Sequence, residues 1–246
     1  DVNEMLKMDK YIDLIIPRGG NALVKYIQEN TKIPVMGHAS GICHIYADET
    51  TDIQKSVNIC LDAKIQYPSA CNAVETILIN KNILEDFLPE LVKAFEDNNV
   101  TIKADEECRR ICKNLEPAEK EDWAAEYGDK TVSIKAVKDI FDAIAHINIY
   151  GSGHTDCILS KNPGNIELFM NLVDSAGVFA NASTRFADGF RYGLGAEVGI
   201  STNKTHARGP VGLEGLTIYK YKLYGNGQIA GEYSSGEKHF KHERLI

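Results

Sequence analysis

The sequence has no apolar run of the length that crosses a membrane, and it has no excess of positive charge. A membrane-spanning helix needs about 20 apolar residues, so no membrane span is predicted. Asp and Glu total 35 against 27 Lys and Arg, which leaves a formal net charge of -8. Proteins that bind nucleic acids meet the phosphates with a basic face. The acidic balance therefore argues against a nucleic-acid partner and favours chemistry on a small molecule.

Cysteines at the spacings of a metal site or a disulfide framework are also missing. Cys108 and Cys112 lie four residues apart on a predicted helix, but no His or second pair accompanies them at a suitable spacing. We interpret the two as packing residues and predict no metal. A chain of 246 residues, 43% of them hydrophobic, can bury a core without disulfide staples. Reduced thiols of an intracellular protein are therefore predicted at Cys43, Cys60, Cys71, Cys108, Cys112 and Cys157.

The segment from Tyr67 to Glu75 has the composition of a tight loop around a thiol. Pro68 precedes Cys71, small residues flank the cysteine, and the β-prone run 76–79 follows. This pattern predicts a short connection that leaves the sulfur accessible at the edge of a strand. Two hypotheses follow: Cys71 is a nucleophile, or it is a small buried residue of the core, as most lone cysteines are.

A strand, a glycine turn and a helix are predicted near the start of the chain, at residues 11–16, 17–20 and 22–27. The unpaired amides and the dipole of a helix start favour an anion. The turn is therefore a candidate site for a phosphate, and a plain tight turn is the alternative. Its candidate residues are Arg18, Gly19 and Gly20.

From residue 131 onward, strand and helix patterns alternate with short links, which is typical of an α/β layer with mostly parallel strands. Ligands of such sheets gather at the carboxyl ends of the strands, and a polar loop follows the last strand of this run directly. Arg185 in that loop can hold a carboxylate or phosphate with two parallel hydrogen bonds; a structural salt bridge is the alternative. The candidate substrate-binding residues are Asn181, Ser183, Thr184 and Arg185.

Six motifs occur in an order that resembles a known family. They are IPVMGH (33–38), GICH (41–44), YPSACNAVETILI (67–79), NASTRFADG (181–189), GLGAEVGIS (193–201) and HARGPVGLEGL (206–216). Over residues 9–223 the chain resembles the γ-glutamyl phosphate reductases (glutamate-5-semialdehyde dehydrogenases) of the aldehyde dehydrogenase superfamily. The resemblance is closest to the reductase part of eukaryotic δ-1-pyrroline-5-carboxylate synthases.

The resemblance implies roles for the residues that match the family's motifs. Cys71 takes the place of the catalytic nucleophile, and the backbone amides around Cys71 and Asn72 are candidates for stabilising the oxyanion. Glu126 matches a carboxylate that touches the ribose of the nicotinamide cofactor, with a plain surface Glu as the alternative. Gly37 falls near the position of a water-activating glutamate in hydrolytic relatives. The absence of a carboxylate there suits an enzyme that reduces an acyl-thioester and must not hydrolyse it.

The activity that the resemblance implies is the NADPH-dependent reduction of γ-glutamyl 5-phosphate to glutamate 5-semialdehyde in proline biosynthesis. Cys71 would attack the acyl phosphate, phosphate would leave, and hydride would add to the thioester. The loop 181–185 would anchor the substrate, and the turn 17–20 would lie near the cofactor. The resemblance also implies a homo-oligomer, a glutamate kinase domain at the N-terminal side of a longer chain, and a mitochondrial location, with the cytoplasm as the alternative.

Two other classes of function remain open. One is a non-catalytic assembly or oligomerisation module of a bifunctional kinase and reductase chain. The other is a cysteine hydrolase, in which His38 or His44 would serve Cys71 as a base. A His flanked by Cys and Ile in a strand, however, is more often a hydrogen-bonded core residue.

The expected fold is α/β and aldehyde-dehydrogenase-like, with a three-layer catalytic domain around a mostly parallel sheet. Residues 1–40 are predicted to be the C-terminal remnant of an NADP-binding domain, 41–215 the catalytic domain, and 216–246 an oligomerisation strand and tail. The strand, at 216–224, mixes apolar residues with Lys as an edge or intersubunit strand does. The strand at 11–16 has no earlier partner, so we expect more of the cofactor domain before residue 1. These 246 residues alone are then expected to bind NADPH weakly and to show no turnover.

Overall fold

The computed structural model describes residues 2–37, 40–204 and 206–241. The chain forms two compact units, Asp1–Leu216 and Thr217–Ile246. Within the described ranges, no helix combines the length and the apolar character needed to cross a bilayer. The predicted three-part domain division stays a prediction.

The regular elements are as follows. The helices are Val2–Met5 (α1), Asn21–Asn30 (α2), Ile53–Ile65 (α3), Leu84–Glu96 (α4), Glu106–Ile111 (α5), Ile140–Tyr150 (α6), Pro163–Leu172 (α7) and Ala230–Ser234 (α8). The strands are Cys43–Ala47 (β1), Val74–Asn80 (β2), Thr101–Ala104 (β3), Glu116–Pro117 (β4), Thr131–Val137 (β5), Thr155–Leu159 (β6), Gly177–Ala180 (β7), Gly199–Ser201 (β8) and Gly209–Val211 (β9). Short 3-10 turns lie at Lys81–Ile83, Lys120–Ala124, Thr184–Phe186 and Glu214–Leu216.

A seven-stranded sheet forms the centre of the larger unit, in the order β4-β3-β5-β2-β1-β6-β7. Every adjacent pair in it is parallel. All residues of β1, β2 and β6 are buried. Parallel strands that are covered on both faces read as continuous apolar runs, which is why these segments lack a polar alternation. A separate antiparallel pair, β8 and β9, follows later in the chain.

Helices cover both faces of this sheet. On one face α3, α4 and α5 pack through a large core that includes the fully buried Phe87, Leu91 and Phe95. On the other face α6 and α7 pack through a smaller core that includes Ile147 and Phe169. The result is three layers, and the predicted α/β class with a mostly parallel sheet is confirmed.

Side chains of the residues before the helices define where several of them begin. Asp52 accepts a hydrogen bond from the amide of Lys55 at the start of α3. Asp139 accepts two backbone amide hydrogen bonds at the start of α6. Asn162 does the same for α7, with Pro163 at its first position. These side chains pair the amides that a helix start leaves unsatisfied.

Two predicted strands are not formed as expected. The segment 11–16 contributes a single parallel bridge, between Ile15 and Val35. A strand needs a partner backbone along its length, and only residues 34–36 lie opposite Ile15. Residues 217–225 have no regular structure, and α8 is the only regular element described within 217–241. The apolar and Lys pattern of 216–224 suits an edge or intersubunit strand, and among the described residues of this chain no neighbouring strand receives its hydrogen bonds.

The helix layer is expected to respond very differently to two Phe substitutions. Phe87 on α4 is 0% exposed, whereas Phe141 on α6 is 62% exposed. Phe87→Ala leaves a cavity and should lower the free energy of unfolding by about 3 to 5 kcal/mol. Phe141→Ala should change it by less than about 0.5 kcal/mol. Urea unfolding followed by circular dichroism measures both, and equal losses would contradict the packing described.

Candidate active site

Cys71 lies at the edge of the sheet where the parallel strands begin, here called the amino edge. Its loop leads directly into β2. Cys71 is half-buried, whereas four of the other cysteines are fully buried. A Cβ on Gly41, which precedes β1, would overlap the backbone of Cys71, so this close approach requires glycine. The hypothesis of a fully buried core thiol is therefore wrong for Cys71.

Polar groups at the opposite, carboxyl ends of the strands hold the fold together. Asp48 accepts hydrogen bonds from Thr50 Oγ1 at 2.8 Å and from Ser160 Oγ at 2.7 Å. The side-chain amide of Asn181 bonds to the backbone N–H and the C=O of Ser160, both at 2.9 Å. Asn181 thus joins the ends of β6 and β7. The polar loop 181–185 follows the carboxyl end of β7, as the sequence predicted, whereas Cys71 precedes its strand.

The segment after β7 reaches the Cys71 loop through Asn72. The Asn72 side-chain amide donates to the backbone oxygen of Ala187 at 2.8 Å. Ser183 is buried and accepts the amide of Arg185 at 3.3 Å, which starts the 3-10 turn. Two buried oxygens, Asn72 Oδ1 and Thr184 Oγ1, have no hydrogen-bond partner within the described residues. Buried polar atoms are nearly always satisfied, so these two are available to a bound molecule.

Arg185 contacts the segment that leads to Cys71, through Gln66 and Tyr67. Its Nε donates to Gln66 Oε1 at 2.8 Å, and its guanidinium lies 5.8 Å from the centre of the Tyr67 ring. Burial lowers the pKa of Arg185, although the group stays a cation at any physiological pH. Within the described residues it has no carboxylate ion-pair partner. The structural salt bridge offered as an alternative is therefore not observed.

Burial, together with two nearby carboxylates, favours the thiol form of Cys71. Burial raises the pKa of Cys71, and the negative charges of Glu126 and Glu197 raise it further. The backbone amide of Cys71 and the positive charge of Arg185 act in the opposite direction. Because the net shift is upward, the thiolate is less populated at neutral pH than in a free cysteine.

Glu197 was not recognised as a site residue from the sequence. Its Oε2 accepts the amide of Gly189 at 3.0 Å, and a Cβ on Gly189 would approach that oxygen to 3.2 Å. Gly189 lies two residues after Ala187, the partner of Asn72. The signal that could have identified Glu197 is that it is the only acidic residue of the motif at 193–201.

The predicted cofactor residues lie in two places. Arg18 and Gly19 line a cavity of about 200 Å³ together with Gly37, Gly199 and residues of β8 and β9. None of the residues lining this cavity belongs to the Cys71 loop. Gly20 precedes α2 and makes no side-chain cap. The negative charge of Glu126, in contrast, acts on Cys71 and raises the pKa of its thiol.

The histidines do not form a base for Cys71 in the described residues. His44 is fully buried in β1, and its Nδ1 lies 3.1 Å from Asp156 Oδ1. It is the hydrogen-bonded core residue that the sequence indicated. His38 lies outside the described residues. Those residues also contain no cluster of three or more His, Cys, Asp or Glu that could hold a metal.

The three-layer α/β unit around a mostly parallel sheet has an aldehyde-dehydrogenase-like fold. A solved propionaldehyde dehydrogenase from a Clostridium phytofermentans microcompartment shares this fold, with a TM-score of 0.63 and 19% identity; the match covers 85% of this chain and 56% of that one. No protein-family model matches the chain.

Sequence similarity within this fold is high to one family. The chain is 62% identical, over its full length, to the γ-glutamyl phosphate reductase of Brachyspira hyodysenteriae and covers 57% of that protein. The crystal structure of the γ-glutamyl phosphate reductase of Thermotoga maritima matches with a TM-score of 0.91 at 42% identity, covering 93% of this chain and 55% of that one. The chain is therefore a homologue of the γ-glutamyl phosphate reductases, which confirms the resemblance seen in its motifs. It spans about half the length of the curated relatives it matches.

Alkylation of Cys71 should require a higher pH than alkylation of an ordinary thiol, whose pKa is about 8.5. The raised pKa keeps the thiolate fraction low at neutral pH, so the rate of reaction with iodoacetamide should rise only above that value. Glu197→Gln removes a negative charge and should lower the midpoint. Glu90→Gln, on the exposed face of α4, is the control and should leave it unchanged. Peptide mapping by mass spectrometry measures the rates; a wild-type midpoint at or below the ordinary value would contradict the electrostatics described.

Proposed function

We propose that the protein containing this chain reduces γ-glutamyl 5-phosphate to glutamate 5-semialdehyde and phosphate with NADPH, as a step of proline biosynthesis. The observation that carries the proposal is the position of Cys71. Its half-buried thiol is tied through Asn72 to the loop that presents Arg185. Homology to proteins named γ-glutamyl phosphate reductase supports the choice of reaction.

In the first step the Cys71 sulfur attacks the acyl carbon of the substrate. A carbon–sulfur bond forms, the bond from that carbon to the phosphate oxygen breaks, and phosphate leaves with the electron pair. The proton of the thiol must be lost beforehand. The positive charge of Arg185 favours the thiolate. Arg185 therefore lowers the free-energy cost of deprotonating Cys71.

The oxyanion that forms during this attack needs hydrogen-bond donors close to Cys71. One N–H of the Asn72 side-chain amide donates to Ala187 O, and this bond positions the loop. The backbone amides of residues 71 and 72 are the donors that we assign to this role. The free oxygens of Asn72 and Thr184 provide further polar contacts for a bound substrate.

The substrate carries negative charge on its phosphate and on its α-carboxylate. Arg185 is held in place through its Nε, which leaves the two terminal nitrogens of its guanidinium to form a bidentate contact with such a group. We therefore assign Arg185, with Ser183 and Thr184 beside it, to substrate binding. The binding role of Asn181 stays a prediction. Its side-chain amide is bonded to the backbone of Ser160.

The residues present in this chain fit part of a nicotinamide dinucleotide. The cavity beside Arg18 has about 200 Å³, below the roughly 300 to 1,000 Å³ of a complete ligand site, and it suits one anionic group. Glu126 would hold a ribose hydroxyl beside Cys71. When bound, NADPH supplies the hydride that reduces the thioester. Gly37 contributes no carboxylate to activate water, which favours reduction of the thioester over its hydrolysis.

Residues 217–224 favour a second proposal, assembly of the chain into a homo-oligomer. Ile218 is 99% exposed and Leu223 is 92% exposed, and the tyrosines between and after them are exposed as well. Burying such a run in a sheet with another copy would remove this apolar surface from water. The kinase domain and the mitochondrial location are proposed on the resemblance alone.

Cys71→Ser in the intact protein should abolish reductase activity, to below a few per cent, because a hydroxyl is a far poorer nucleophile at neutral pH. Cys112→Ser is the matched control, since Cys112 is also half-buried and has no proposed role; it should retain activity. Oxidation of NADPH and circular dichroism are measured in parallel. Substantial turnover by a folded Cys71→Ser protein would refute the nucleophile.

Arg185→Lys should raise the Michaelis constant for the glutamyl substrate about 10- to 100-fold, because a point charge replaces a bidentate contact worth roughly 1.5 to 3 kcal/mol. Arg110→Lys, at an exposed position on α5, should leave the constant unchanged. Steady-state kinetics and thermal melting distinguish the roles. A lower melting temperature with unchanged kinetics would make Arg185 a structural residue.

A further inference from the structure

Lys64 and Glu75 form a buried ion pair next to the Cys71 loop, and the reaction described above does not use it. Lys64 Nζ lies 2.6 Å from Glu75 Oε2, and the two side chains are 0% and 1% exposed. Lys64 is in the last turn of α3, and Glu75 is the second residue of β2. The pair therefore joins α3 and β2, the two elements that the Cys71 loop connects.

The second oxygen of Glu75 reaches a different segment. Glu75 Oε1 accepts the backbone amide of Gly128 at 3.3 Å. Gly128 has a φ of 66°, in the left-handed region that glycine adopts without strain. One carboxylate thus connects the end of α3, the start of β2 and the turn that leads into β5.

Glu126 is two residues before Gly128, and its carboxylate interacts electrostatically with both Cys71 and Glu75. Tyr127 gives the same segment a second attachment, since its hydroxyl bonds to Asp122 Oδ1 at 2.9 Å and to Ser133 Oγ at 2.7 Å. The backbone that carries Glu126 is consequently held at the two residues that follow it.

Desolvation opposes the stability that the pair contributes. Burial raises the pKa of Glu75 to about 7, in spite of the opposing charge of Lys64, and burial also lowers the pKa of Lys64. Both directions show that the desolvation of the two charges is only partly compensated. Well-packed apolar residues in place of a buried ion pair are often neutral or stabilising, so the position of this pair calls for another explanation.

We propose that Lys64 and Glu75 are positioning residues, which fix the backbone at Gly128 and thereby the position of Glu126, two residues earlier, on the Cys71 side of the sheet. The assignment rests on the proposed function, in which Glu126 contacts the ribose of the cofactor. Neither Lys64 nor Glu75 touches the reacting atoms; both act through the segment that bears Glu126.

The test compares two double variants of the intact protein. Lys64→Met with Glu75→Leu removes the pair and the contact to Gly128, without leaving an unpaired buried charge. Lys64→Met with Glu75→Gln removes the same charges but keeps an acceptor for the Gly128 amide. Any difference between the two therefore reports on position and not on charge. Ile79→Val, a core change at the far end of β2, is the control for a general loss of stability.

In the Leu double variant, Glu126 is released from Cys71, and the midpoint of Cys71 alkylation should fall by about 0.5 to 1 pH unit. The Michaelis constant for NADPH should rise about tenfold, with that for the glutamyl substrate nearly unchanged. The Gln double variant should behave like the wild type in both measurements, and Ile79→Val should alter only the melting temperature. Should the Leu double variant not fold, Gly128→Ala gives the same readouts, since a Cβ there meets no atom within 4 Å and only the left-handed backbone is strained; both shifts are then expected again.

The proposal is overturned if the Leu double variant, or Gly128→Ala in its place, keeps the wild-type midpoint and the wild-type constant for NADPH, or if the Gln double variant shows the same changes as the Leu double variant. The two proposals can fail separately. A wild-type protein without reductase activity would end the proposed function, whereas the alkylation midpoints would still decide whether the pair positions Glu126.

Discussion

The parallel direction of β1, β2, β5 and β6 is the constraint on which the Cys71 site depends. Parallel strands place all their starting points at the same edge of the sheet, and the segments before these strands therefore meet there. Gly41 before β1, Cys71 before β2 and Glu126 before β5 come from distant parts of the sequence. A change in the direction of any one strand would move its segment to the opposite edge.

The amino edge alone does not complete the site, because the loop 181–185, to which we assign substrate binding, starts at the other edge. Asn181 closes the carboxyl end of β7 onto Ser160, and the chain then crosses to the Cys71 loop. The segment after β7 contacts the Cys71 loop through the hydrogen bond from Asn72 to Ala187. This crossing brings one cation, Arg185, and one anion, Glu197, to the same thiol. The balance of their charges with burial determines how much thiolate is present at a given pH.

Buried and half-buried polar groups in the interior also support the site. Lys64, Glu75, Asp122 and Tyr127 form two sets of contacts under the segment that carries Glu126. An exposed glutamate on an unsupported turn would sample many positions, and each position would change the charge felt by Cys71. Fixing the turn from the interior leaves the carboxylate itself exposed to a ligand, which is compatible with both a binding role and an electrostatic one.

Local pattern and motif order in the sequence determined the α/β class, the run of parallel strands, the loop around Cys71 and the relationship to γ-glutamyl phosphate reductases. These depend on residues that are close together in the chain, where side-chain periodicity and turn chemistry act directly. Tertiary structure decided the rest. Asn72 and Ala187 are 115 residues apart, Gln66 and Arg185 are 119 residues apart, and Glu197 came to Cys71 by the same long crossing. The strand expected at 216–224 did not form because its hydrogen bonds require a neighbour that local sequence does not specify. Contacts of this kind arise only when the whole sheet is assembled, since the direction of each strand decides which loops share an edge.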